Sequence, residues 1–191
     1  LERGRAMTTV TRNQPLAAPA VAPVTHIPRD VRAAIDGTIG GLIGTVPMSV
    51  AMLAARRMGL MGRQPPERIT QKLFFRGRRR ARNADTRNRV ATLLHFAFGG
   101  VGGAVYGVMR RRLPYRANPV LTGVLFGMFV WATSYLGWLP ALGLMPSAHR
   151  DRPDRPVVMV VVHLIFGATL GAVVGWLAHS ASDTSEVARH V

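Results

Sequence analysis

Four stretches of the chain contain no Asp, Glu, Lys or Arg: Gly37–Ala55, Val90–Met109, Ala117–Ala148 and Pro156–Ser182. Between them the polar residues are bunched, not interleaved. A soluble amphipathic helix breaks its apolar face with charge every turn or two. A helix crossing a hydrocarbon core of about 30 Å needs about 20 apolar residues in a row. The pattern predicts an all-α polytopic membrane protein with spans at about 35–57, 90–109, 119–139 and 156–178. Pro47 falls inside the first span, where a neighbouring helix can cover the carbonyl it frees.

Small residues recur inside every span. The second reads HFAFGGVGGAVYG at 95–107 and the fourth HLIFGATLGAVVG at 163–175. Shifted by 68 positions, His95 falls on His163, Phe98 on Phe166, Gly99 on Gly167 and Gly103 on Gly171. Ala104, Val105 and Gly107 likewise fall on Ala172, Val173 and Gly175. Seven identities in one register point to a duplicated helical hairpin. Gly40 and Gly44 of the first span match the spacing of Gly123 and Gly127 in the third, and Gly-Leu-Met follows both spans, at 59–61 and 143–145. Two spans per unit give both units the same orientation, so the pseudo-symmetry axis is expected along the membrane normal.

In lipid, helices gain little by hiding apolar surface and associate through close packing, which selects small residues. Gly40, Gly44, Gly99, Gly103, Gly107, Gly123, Gly127, Gly167, Gly171 and Gly175 are therefore expected to pack a four-helix bundle. Their rival role is to clear room for a ligand or macrocycle. His95 and His163 are expected at one depth, near Ser49, Thr133, Ser134, Tyr135 and Trp138 from the other two spans. One reading has each ring hydrogen-bonding a hydroxyl or carbonyl across the bundle. Another is a functional polar site at His95, His163, Ser49, Thr133 and Tyr135, serving a proton relay or a small solute. Paired histidine ligation of haem or a metal is a third. Tyr106, Trp138 and Trp176 read as interfacial anchors. Asp36 is expected in the first turn of the first helix, where a negative charge suits the dipole.

Composition adds charge to this picture. The 191 residues carry a formal net charge of +16 with 48% apolar residues. Residues 1–32 are Pro/Ala-rich and expected to be disordered; 179–191 form a polar tail. The connection 58–89 reads as a basic amphipathic segment on the membrane surface. Arg76, Arg78, Arg79, Arg80 and Arg82 are its candidates for contact with anionic lipid head groups. A plain solvated charge run is the equal alternative. The cluster lacks interleaved aromatics, so no nucleic-acid partner is expected. There is no Cys, which removes disulfides, thiolate catalysis and Cys-based metal sites. No catalytic set, metal site or cofactor is read from the chain, and no enzymatic activity is expected. The first 33 residues show no signal-peptide pattern, so the first span is expected to direct insertion; Met7 is a plausible start. Basic residues number ten on the side of the termini and fifteen on the side of the long connection. That count leans the long connection toward the cytoplasm.

The Gly-rich first span, Pro65-Pro66, the His95-led second span, Gly143–Pro146 after the third and the His163-led fourth resemble small bacterial inner-membrane proteins of the YagU-like type, over about 33–178. The resemblance implies a multi-pass inner-membrane protein of four helices and supplies no activity. The Arg cluster at 76–89 departs from it, and the cytoplasmic termini it implies run against the charge count. The functional expectation is a structural or accessory membrane component, with a homo-oligomer or a membrane partner subunit. The alternative is a small transporter or channel-like protein using the His95–His163 site.

Overall fold

A computed structural model describes residues 27–60, 84–114, 116–144 and 154–187. All regular structure among them is helical: α1 (Arg29–Arg57), α2 (Ala84–Arg110), α3 (Pro119–Trp131) and α4 (Asp154–Val187). A π-helical segment, Ala132–Trp138, and a final turn, Leu139–Ala141, extend α3. Four segments are long and apolar enough to cross a membrane: Arg29–Arg57, Asn88–Arg110, Pro119–Ala141 and Asp154–Ser180.

α1, α2 and α4 run further than their apolar cores. Pro28 caps α1, and nothing between it and the apolar stretch breaks a helix. Asp30, not Asp36, therefore occupies the first turn. Asp30 pairs with Arg111 at the exit of α2, on the exposed surface. Such a pair is worth at most about 1 kcal/mol. No Gly or Pro follows Gly175, so α4 continues to Val187 through much of the expected tail. Residues 1–26 and most of the basic connection lie outside the described residues, including Arg76, Arg78, Arg79, Arg80 and Arg82.

Asn118 starts α3. Its side chain accepts hydrogen bonds from the amides of Val120 (2.9 Å) and Leu121 (3.2 Å), and Pro119 takes the first helical position. These are a side-chain cap on orphan donors and a residue with no donor to lose. The other end of the span is irregular. Pro140 has no amide to offer the carbonyl of Leu136. The preceding turns widen to π geometry and the chain kinks at Gly137 (φ −100°, ψ −106°). Gly59 (φ +77°) and Gly143 (φ +63°) close the first and third spans. In each case the glycine amide and the next amide bond back to helix carbonyls: Gly59 to Arg56 and Leu60 to Ala55, Gly143 to Pro140 and Leu144 to Leu139. This left-handed closure favours glycine.

Packing follows the small residues. α1 touches α2 with one stripe and α4 with another. Gly37 and Gly41 lie against the backbone of Gly99, Gly103 and Gly107; Gly40 and Gly44 lie against Phe166, Leu170 and Val174. Gly123 and Gly127 of α3 lie against the backbone of His163, Gly167 and Gly171. α1 and α4 thus form the inner pair, flanked by α2 and α3. Gly40 and Gly44 share the spacing of Gly123 and Gly127 but not their contacts, because Gly40 faces α4. Gly41 is the residue that sits on the second helix as Gly123 sits on the fourth. Side chains fill the wider seam between α2 and α3: Tyr106 with Phe126 (ring centroids 5.4 Å) and Phe98 with Trp138 (6.4 Å). Tyr106 is not an interfacial anchor. It is 2% exposed, and its hydroxyl donates to the Pro119 carbonyl (2.9 Å), with Thr122 Oγ1 at 2.9 Å. Trp138 and Trp176 are exposed at span ends. The outer surface is aliphatic and aromatic, with Leu93, Val101, Leu125 and Phe129 exposed.

Candidate functional site

The ends of α1 and α3 meet the starts of α2 and α4 on one side of the bundle. The glycine contacts fix the relative heights there. Gly99 abuts Thr45 and Gly41. One helical turn outward, His95 is level with the Thr45–Ser49 turn of α1. Phe166 and Leu170 abut Gly44, so His163 is level with Met48. Gly127 abuts His163 and Gly167, so Trp131, one turn on, is level with Met159 and His163. Each of the four helices therefore contributes one side chain to a single layer: Met48, His95, Trp131 and His163.

His163 is buried, and its Nδ1 lies 2.7 Å from the Met159 carbonyl of its own helix. A carbonyl only accepts, so Nδ1 carries the hydrogen and Nε2 keeps a free lone pair. His95 Nε2 is fully buried and has no hydrogen-bond partner among the described residues; the same holds for Trp131 Nε1.

The hydroxyls of Ser49, Thr133 and Ser134 turn back onto their own helices. Ser49 Oγ donates to Thr45 O (2.7 Å), Thr45 Oγ1 to Gly41 O (2.7 Å) and Ser134 Oγ to Val130 O (2.5 Å). Thr133 is exposed and bonds back to Phe129 O (2.8 Å), so the structure does not bring it to the histidines. None of these bonds crosses between helices. Tyr135 is 1% exposed and stacks on Trp131, with ring centroids 6.2 Å apart and planes at 17°.

The next layers outward hold Met52 and Met159, then Ala55, Leu139 and Arg155, all buried. Arg155, at 1% exposure, was missed in the sequence because it sits one residue outside an uncharged stretch and resembles a boundary charge. Spacing carries the only signal for it. Arg155, Met159 and His163 repeat every fourth position and so share one helix face. The π segment of the third span borders these layers, and such segments recur at functional sites. Among the described residues no group of three or more His, Asp or Glu side chains converges.

No curated protein and no solved structure matches the chain significantly. One family model does match, over residues 31–185, which takes in all four spans and the layered end of the bundle. The chain belongs to that family, DUF6789, a family of unknown function.

Proposed function

We propose that the protein is a structural or accessory component of a bacterial inner membrane, built as two copies of one helical hairpin. One observation carries this reading: backbone rests on backbone at glycines along two helix pairs, α1 with α2 and α3 with α4. That arrangement yields a tight bundle, and the hydroxyls of Thr45, Ser49, Thr133 and Ser134 turn into their own helices. The glycine stripes are occupied within one chain. Association with a second copy or a membrane partner subunit would therefore use the aliphatic outer face. The Gly-Leu-Met exits and His-led spans support kinship with the YagU-like proteins. No catalysis is assigned.

A second reading, a small transporter or channel-like protein, is favoured by the unpartnered His95 Nε2 at the height of His163. Proteoliposome flux separates the two. The accessory reading expects vesicles carrying the protein to be no leakier to protons or small solutes than protein-free vesicles. Flux that the protein stimulates and His95→Ala abolishes would overturn it.

A further inference from the structure

We propose that His95 and His163, with Met48 as third donor, form a binding site for a soft monovalent metal cation of the Cu(I) type. The inference builds on the intramembrane-site reading and goes beyond it by naming the occupant.

The donor atoms are prepared for a metal. Metal-binding histidines characteristically donate the far ring N–H to a carbonyl, which fixes the tautomer and aims the other nitrogen. His163 does this with Met159 at 2.7 Å. His95 presents a buried Nε2 that nothing among the described residues satisfies. A buried polar atom left alone costs free energy, and a cation shared by two imidazoles removes that cost at both rings. The two rings come from different helices at one height, a position set by the glycine contacts and not by flexible loops.

The chemistry of the layer selects the ion. Thioether and imidazole donors suit Cu(I), whereas hard divalent ions take carboxylate and carbonyl oxygen. Met48 lies in the histidine layer, and Met52 and Met159 in the next, all three buried. The named donors are neutral imidazole and thioether groups, and the chain has no Cys to add a thiolate. The cost of placing an ion in a low-dielectric interior rises steeply with its charge, which disfavours a divalent ion here. Arg155 shares the face of His163 but lies eight residues away, about 12 Å along the helix.

The test uses the full chain purified in mild detergent. Ag(I), a redox-inert stand-in for Cu(I), is titrated by calorimetry, and Cu(I) is titrated against a chromophoric Cu(I) chelator. One equivalent is expected. His95→Ala and His163→Ala should each weaken binding by more than about 100-fold, the upper end of what loss of an outer-shell group costs. Met48→Leu, which keeps volume, should weaken it by a smaller factor. His95→Gln, with helicity and elution volume checked, covers the case in which the alanine variants unfold. X-ray absorption at the copper edge should show nitrogen and sulfur neighbours. Failure to compete with the chelator, affinity unchanged in the folded histidine variants, or an oxygen-only coordination shell would each overturn the site. Binding is read at equilibrium in detergent, so absence of vesicle flux would defeat the transport reading and leave this one standing.

Discussion

Gly37 and Gly103 meet backbone to backbone: a Cβ placed on Gly103 would run into the carbonyl oxygen of Gly37. The contact clamps α1 to α2 in the first third of α1. Neither partner can yield, because both obstructing groups are main chain.

Gly103→Val should therefore force the two helices apart. Overpacking of a well-packed site costs about 1–3 kcal/mol, sometimes more. The expected result is a lower unfolding midpoint in detergent. Gly102→Ala is the control. A Cβ there meets nothing within 4 Å, so its midpoint should hold or rise slightly. Equal loss in both variants would show that helix contact is not the cause.

Gly59→Ala and Gly143→Ala isolate backbone conformation from packing. A Cβ at either position meets nothing within 4 Å, yet both residues hold positive φ. Each substitution should cost about 1–2 kcal/mol, the penalty of a left-handed residue with a side chain. The two costs should be similar, because the closures are the same. Denaturant titration of the detergent-solubilised chain measures them.

Tyr106→Phe removes a hydroxyl that ties α2 to the start of α3. Thr122 Oγ1 also bonds the Pro119 carbonyl, at 3.0 Å, so that acceptor keeps a partner. The loss should be about 0.5–1.5 kcal/mol, that of an ordinary hydrogen bond. Amide hydrogen exchange should quicken first at Val120–Thr122, where the tie lands.

The spans were legible because a bilayer imposes a length and an absence of charge on each helix separately. The candidate site was only half legible. His95 and His163 stood out as titratable groups in apolar runs, and their shared position in two similar segments placed them at one height. The methionines did not stand out, since Met in a span reads as ordinary apolar filling. Trp131 did not either, because its indole N–H becomes conspicuous only once it is buried without a partner. Thr133 and Ser49 were grouped with the histidines on height alone. Side-chain direction then divided them, and a hydroxyl in a helix readily turns to the carbonyl four residues back.

The sequence by itself determined how many spans there are, where each lies, and that small residues line them. Those properties come from one segment meeting lipid. Tertiary structure decided which glycine meets which. α1 carries two stripes one residue apart, and only the placement of α2 and α4 assigns them. It also decided how α1 and α3 correspond. Gly41 and Gly123 hold equivalent contacts 82 positions apart, while the closing glycines, Gly59 and Gly143, stand 84 apart. The third span fits two more residues between those points, and the π segment before Pro140 takes them up. Wider turns absorb length without lengthening the helix, and nothing in a local apolar pattern records that.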